Sequence, residues 1–285
     1  MSRIAYVNGE YVPHGHAAVH IEDRGYQFSD GVYEVIAVRN GVMIDGDGHM
    51  KRLQYSLDEL EIAMPMSSRA LTVVMAETIR RNRIRNGIIY LQITRGASPR
   101  NHPFPDFARP AVVITARRAA FPSRADEVAG GHVITIPDIR WDRCDIKSIS
   151  LLPNVLAKQA AIEADAVETW LIDGDGYITE GSSTNAWIVD KAGTLVTRPK
   201  SNAILGGITR ETILKLAREN GIDVVERPFT PDEAKAAREA FMTSTTSFVK
   251  PITRIDDRVI ANGEPGEISR RLLSLYIDHM NAIAA

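Results

Sequence analysis

Asp142-Arg143-Cys144-Asp145-Ile146-Lys147-Ser148-Ile149-Ser150-Leu151-Leu152-Pro153-Asn154-Val155-Leu156-Ala157-Lys158-Gln159 is the stretch on which the reading of this chain turns. Lys147 lies among Cys144, Ile146, Ile149, Leu151 and Leu152. In such an apolar setting a lysine needs a charge partner or a task. Burial lowers the pKa of an ammonium, which turns a lysine into a nucleophile towards a carbonyl or an aldehyde cofactor. The same residues also suit a lysine on a strand edge, with its stem on apolar surface and its head in water. Local sequence leaves both readings open, and the rest of the chain has to decide between them.

The chain has 285 residues, of which 44% are apolar, enough for one large domain or two moderate ones around a real core. Basic and acidic residues nearly balance, 34 against 36, which argues against a polyanionic partner such as nucleic acid and favours a small-molecule enzyme or binding protein. Cys144 is the single cysteine, so an internal disulfide and a cysteine-rich zinc site are excluded and a reducing compartment fits. No apolar run reaches membrane length, and the first residues turn into a hairpin too soon for a signal peptide. The expectation is a soluble, cytoplasmic protein without membrane or nucleic-acid partners.

Two Asn-Gly pairs mark hairpins. Asn8-Gly9 lies between Ile4, Tyr6 and Tyr11, Val12, and Asn40-Gly41 lies between Val32–Arg39 and Val42–Ile44. The run from Glu22 to Gly31 is dense in charged, aromatic and glycine residues and reads as a loop with a task. Leu53, Leu57 and Leu60 give His49–Ala63 a helical period, and Ser67-Ser68 caps a second helix with Leu71, Val74, Met75 and Ile79 inside. Strands are expected at Gly87–Thr94 and Pro110–Ala116, joined by a loop carrying Arg95, Arg100 and His102. Beyond a polar linker the two periods mix. Strands are expected at His132–Ile136, Val167–Ile172, Thr184–Val189 and Ala240–Thr243, and helices at Val155–Ala166, Thr209–Asn220 and Glu267–Ala282.

Walker, dinucleotide-binding, nucleophile-elbow and zinc-helix signatures are absent, and no metal site is expected. Asp45-x-Asp47 and Asp173-x-Asp175 lack the glutamate of a calcium loop and read as hairpin turns. Gly206-Gly207-Ile208-Thr209-Arg210 opens an amphipathic helix, where free N–H groups and the positive helix end could hold an anion or simply cap a turn. Thr243-Ser244-Thr245-Thr246 could add hydroxyl donors, and Arg52 a cation; a plain strand end and a solvated helix arginine are the alternatives. Glu180, among Thr179, Gly181, Ser182, Ser183 and Thr184, could bind a protonated ring nitrogen, although alone it reads as a loop residue.

Arg52, Lys147, Glu180 with Gly181-Ser182-Ser183, Gly206–Arg210 and Thr245 together resemble the cofactor site of the fold-type IV pyridoxal-phosphate aminotransferases. Asp23–Phe28, Gly31–Val35, Thr94–His102 and Lys147–Asn154 are similar to the D-amino acid aminotransferase branch. Ser148–Pro153 departs from the glycine-rich stretch usual in the branched-chain L-amino acid enzymes. The resemblance implies an α/β (α+β) fold in two domains, with the active site between them. A smaller N-terminal α/β domain would take residues 1–118, a linker 119–126, and a larger C-terminal domain with a barrel-like sheet 127–285.

It further implies that Lys147 holds pyridoxal 5′-phosphate as a Schiff base and acts as acid and base, while Glu180 keeps the pyridine nitrogen protonated. Arg52, Ile208, Thr209 and Thr245 would hold the phosphate, and Ser183 and Thr184 would support the ring. Tyr33, Arg100 and His102 match a carboxylate trap to which the second subunit of a homodimer contributes the arginine and histidine. The implied reaction moves the amino group of a D-amino acid (alanine, glutamate or aspartate) to a 2-oxo acid such as 2-oxoglutarate or pyruvate. Alternatives within the fold are a branched-chain L-amino acid or (R)-amine transaminase and a pyridoxal lyase. From a different class comes a ligand-binding protein in which Lys147 is merely structural.

Overall fold

Asn8 and Gly9 both take positive φ, 49° and 110°, the geometry of a tight hairpin turn, and join β1 (Ile4–Val7) to β2 (Glu10–Pro13). Asn40 and Gly41 repeat it, at 51° and 85°, between β3 (Gly31–Arg39) and β4 (Val42–Met43). These turns belong to a computed structural model that describes residues 3–285. The chain forms two compact units. One takes in the described residues up to Phe121 with Ile146–Ser150 and Met280–Ala285; the other holds Pro122–Asp145 and Leu151–His279.

The first unit is one antiparallel sheet with helices. Its other elements are α1 (Arg24–Phe28), α2 (Gly46–Glu59), α3 (Ser68–Arg81), β5 (Gly87–Thr94) and β6 (Ala111–Arg118). The six strands run β2-β1-β6-β5-β3-β4. β3 and β5 pair from Gly31↔Thr94 to Val38↔Gly87, a register that puts Val32, Ile36 and Val38 in one core with Ile89, Leu91 and Ile93. Leu53 and Leu57 of α2 and Leu71, Met75 and Ile79 of α3 complete that core, each contributing about 1.5–3 kcal/mol by burial. Ser67 caps α3 by accepting from the Ala70 N–H at 3.2 Å.

Glu34 follows Val32 by two residues and so points into the same apolar space, where a lone carboxylate would be very costly. α2 supplies the answer from one face. His49 Nδ1 lies 2.7 Å from Glu34 Oε2, and Arg52 donates through Nε (2.8 Å) and Nη2 (2.7 Å) to its two oxygens. The N-terminal half of β3 gains a further partner from far along the chain. Tyr33 N–H donates to Lys147 O and Ile149 N–H to Gly31 O, both at 3.0 Å, while Lys147 N–H donates to Ser56 Oγ of α2 at 3.1 Å. An edge that would otherwise offer open ladder positions is thereby covered.

The second unit is built on a mixed nine-stranded sheet. In chain order it contains β7 (Gly131–Pro137), α4 (Leu152–Glu163), β8 (Glu168–Ile172), β9 (Ile178–Gly181), β10 (Asn185–Val189), β11 (Leu195–Thr197), α5 (Ile208–Glu219) and β12 (Val224–Glu226). Then follow α6 (Pro231–Lys235), β13 (Glu239–Ser244), β14 (Phe248–Ile255), β15 (Arg258–Val259) and α7 (Glu267–Ile283), whose end groups with the first unit. The strand order is β12-β11-β10-β13-β14-β7-β8-β9, with β15 beside β14. Although four strands separate them in that order, β9 and β10 pack on each other, so the sheet curls like a half-barrel. Val133, Trp170, Ile188, Phe229, Ile252 and Ile255 fill it.

Several expectations need correction. The Glu22–Gly31 run contains a helix, α1, because Asp23 caps it by accepting from the Gly25 N–H at 2.8 Å. Asp45 turns no hairpin; it stands in the left-handed region as the residue before α2, so that helix begins at Gly46 and ends at Glu59. α4 starts at Leu152 with Pro153 in its first turn, where a missing N–H costs nothing. Leu152 is 69% exposed and shares an uncovered apolar face with Val155, Leu156 and Ile162. Glu180 is in a strand, β9. β14 was hidden by Pro251, which is tolerated because pairing with β7 begins only at Ile252. Among the described residues no helix is long and apolar enough to cross a membrane.

The Glu34 site predicts acid sensitivity. Burial pushes the Glu34 carboxyl up, but Arg52 and His49 outweigh it and hold it down at about 2. Its contribution is therefore complete above the ordinary value of 4.5 and lost as the pH falls through 2, amounting to up to about 3 kcal/mol. Burial also lowers His49, so below its ordinary 6.5 protonation favours the unfolded chain and acts in the same direction. Urea unfolding followed from pH 7 to pH 3 is expected to show this loss, and Glu34→Gln to show a lower stability at pH 7 with a flatter acid limb. An unchanged limb in the variant would contradict the assignment.

Candidate active site

Lys147 is half-buried, neither sealed in the core nor free in solvent. Its Nζ lies 4.2 Å from the centroid of the Tyr33 ring, and among the described residues no carboxylate pairs with it. Both flanking peptide groups are fixed, by Tyr33 on one side and Ser56 on the other. Tyr33 in turn stacks on Tyr90 at 5.7 Å. The Tyr90 hydroxyl donates to Gln92 Oε1 at 2.7 Å, and burial, with Tyr33 beside it, pushes that phenol up to about 12. Burial lowers the His49 imidazole against the pull of Glu34, and the positive charges of Arg52 and Lys147 lower it further. Arg52 is thus a fixed guanidinium whose orientation is set by Glu34.

Arg100 and His102 are exposed and converge on one ring. The Arg100 guanidinium is 4.9 Å from the Phe28 centroid and the His102 ring 5.4 Å from it. Neither makes a ring or cation-π contact with Tyr33 among the described residues.

In the second unit Glu180 is 4% exposed and accepts hydrogen bonds from three directions. Arg140 Nη1 donates to Oε1 at 2.5 Å, the Leu205 N–H reaches both oxygens at 3.1 Å, and Asn185 Nδ2 donates to Oε2 at 2.9 Å. Arg140 is itself held by Asp138 through Nη2 at 2.7 Å. Burial pushes the Glu180 carboxyl above its ordinary range, against the opposing pull of Arg140 and the Leu205 N–H.

The same Asn185 Nδ2 donates to Leu205 O at 3.0 Å, which ties Glu180 to the segment leading into α5. Gly207 precedes that helix with no side-chain cap. The first-turn N–H groups, at Ile208 (8% exposed) and Thr209 (4%), therefore lack intrahelical acceptors at the positive end of the helix. Gly207 has to be glycine, because a Cβ there would collide with Asn185 Oδ1. Ser183 donates its hydroxyl to Glu168 Oε2 at 2.9 Å, while Thr184 Oγ1 is buried without a hydrogen-bond partner. Thr245 stands in the turn after β13, where Ser244 Oγ accepts from the N–H groups of Thr246 (3.3 Å) and Ser247 (3.1 Å).

The structure thus brings Lys147, Tyr33 and the Arg52 region together in one unit, and Glu180 and the α5 start in the other. Sequence reading missed Arg140, Asn185 and Leu205. The usable signal was chemical: a buried carboxylate at 180 demands a cation, and Asp138-Ile139-Arg140, just after β7, supplies one.

Residues 31–255 match the family model described as amino-transferase class IV. The chain is 42% identical over 265 residues to a D-alanine aminotransferase of Bacillus licheniformis, covering 93% of each chain. It is 41% identical over 276 residues to one of Listeria monocytogenes serotype 4b, covering 96% and 95%. In structure it is similar to the branched-chain amino acid aminotransferase of Escherichia coli (TM-score 0.90, 24% identity, 98% and 95% covered), a likeness of fold alone. It is also similar to the T.th. branched-chain amino acid aminotransferase with pyridoxamine 5′-phosphate (TM-score 0.90, 26% identity, 99% and 95% covered). A match across residues 31–255 and relatives above 40% identity along nearly the whole chain establish that this protein belongs to the class IV aminotransferases.

Proposed function

We propose that the chain is a homodimeric, pyridoxal 5′-phosphate-dependent D-amino acid transaminase that moves the amino group of D-alanine, D-glutamate or D-aspartate to a 2-oxo acid such as 2-oxoglutarate or pyruvate. The observation that carries the transaminase reading is Lys147, a half-buried amine with a fixed backbone, an aromatic neighbour and no acidic partner among the described residues. The donor set fits the cofactor: an amine for its aldehyde, a buried carboxylate for its ring nitrogen, and uncapped N–H groups beside an obligatory glycine for its phosphate. When bound, the cofactor supplies an electrophilic carbon and a protonated ring that accepts the electrons released at the substrate Cα.

The chain's own residues then divide the work. Lys147 Nζ anchors the cofactor, and removes and returns the proton at the substrate Cα. Glu180 holds the proton on the ring nitrogen, and Arg140 keeps its carboxylate oriented. Ile208, Thr209, Thr245 and Arg52 retain the phosphate, and Ser183 and Thr184 border the ring, Thr184 with an unspent hydroxyl. Tyr33, Arg100 and His102 fix the substrate carboxylate and so decide which hand presents its Cα proton to Lys147. A second copy of the chain is supported by the uncovered apolar face of α4.

The 26%-identical T.th. branched-chain amino acid aminotransferase with pyridoxamine 5′-phosphate is the ground for a branched-chain L-amino acid substrate as the second reading. The D-alanine aminotransferase relatives are far more similar in sequence and support the first. Stopped-flow half-reactions decide. D-alanine is expected to convert the bound cofactor to its amine form much faster than L-leucine, and equal or reversed rates would remove the D-specific reading. Lys147→Ala is expected to lower turnover by at least roughly 10³-fold and to abolish borohydride labelling at that position; full activity in the variant would end the proposed role.

A further inference from the structure

We propose that Arg24 is a positioning residue for substrate recognition: it touches no substrate, but its guanidinium holds the backbone from which Arg100 and His102 project. This rests on the reading above that those two side chains bind the substrate carboxylate. Arg24 is 3% exposed, in the first turn of α1. Its Nη1 donates to Asn101 O at 2.6 Å and its Nη2 to His102 O at 3.1 Å, so one planar fork grips two consecutive carbonyls of the loop. Among the described residues those two carbonyls accept from nothing else.

The fork is itself fixed. Arg24 Nε donates to Asp30 Oδ2 at 2.7 Å, and the same oxygen accepts from Arg95 Nε at 2.8 Å. Arg95 spends its other nitrogens on the carbonyls of Glu61 (3.0 Å) and Leu60 (2.6 Å), which moors Asp30 to the end of α2. Backbone bonds close the frame: Arg24 N–H to Gly96 O at 2.9 Å, Arg95 N–H to Asp30 O at 3.1 Å and Ser98 N–H to Glu22 O at 3.2 Å. Phe28 lies between the two arginines, 4.8 Å from the Arg24 guanidinium and 4.9 Å from that of Arg100. Every nitrogen of Arg24 is spent on Asp30 and the loop carbonyls, so what the fork delivers to the loop is placement, whereas Arg100 makes no ion pair among the described residues and its guanidinium is open to an incoming carboxylate.

The test uses the holoenzyme. Arg24→Met keeps the length of the side chain and removes every donor. It is expected to raise the KM for D-alanine and the inhibition constant for propionate, a carboxylate without an amine, by about tenfold each, the size of one net hydrogen bond. The kcat at saturation, the absorbance spectrum of the bound cofactor and its dissociation constant should change little; a merely structural role would move these together. Arg24→Lys, able to reach one carbonyl, should fall between, and it serves where the methionine variant does not fold. Arg24→Met added to the pair Arg100→Ala and His102→Ala should bind propionate no more weakly than that pair alone, because Arg24 acts only through those two side chains. An unchanged propionate constant in both Arg24 variants, or a further loss when Arg24→Met is added to the pair, would overturn the positioning role while leaving Arg100 in place. An unchanged constant in Arg100→Ala would instead overturn the carboxylate reading, and this inference with it.

Discussion

The pairing of Ile146–Ser150 with the first half of β3 is the constraint on which the rest of the molecule depends. By chain position these residues sit inside the stretch that builds the second unit, yet their hydrogen bonds belong to the first sheet. The pairing fixes the peptide group after Lys147, and Ser56 of α2 holds the one before it, so its side chain emerges from rigid backbone instead of a loop. It also places the amine over Tyr33, whose ring is clamped from behind by Tyr90. Precise placement of a flexible four-carbon side chain is possible only when its root is held in this way.

A common device runs through the structure. Three carboxylates, Asp30, Glu34 and Glu180, are buried or nearly so, and each is met by at least one guanidinium. Such pairs stabilise little in net terms, because desolvation offsets the attraction, but breaking one leaves a buried charge and is severe. What they provide is geometry. Glu34 orients Arg52, Asp30 orients Arg24 and Arg95, and Arg140 orients Glu180. The side chains assigned to cofactor and substrate are thus supported from underneath by charges that cannot relax without cost.

Much of this was legible in the sequence where the signal is local. Asn-Gly turns, the Ser67 cap, the period of Leu53 and Leu57 and the glycine before Ile208 each encode their structure within a few residues. The rest depends on partners far away. Glu180 looked like a loop residue because β9 has few apolar side chains, and only the donors from Arg140, Asn185 and Leu205 make its burial tolerable. The acceptors of Arg24 lie 77 and 78 residues on, in carbonyls that any residue type would supply. Lys147 resisted assignment for a physical reason: it is half-buried, with Leu152 nearby in sequence largely in solvent, so neither of the two local readings described it fully.

The close approach of Gly207 to Asn185 limits how this sequence can diverge. A side chain at 207 would need the room that the Asn185 amide occupies, and removing that amide would strip a donor from Glu180 Oε2 and from Leu205 O together. A side chain at 207 therefore requires a change at 185 as well, and that change leaves Glu180 and Leu205 each one donor short. The carboxylate and the helix start are thus coupled through a single amide, and the space before the helix is set by what Glu180 needs.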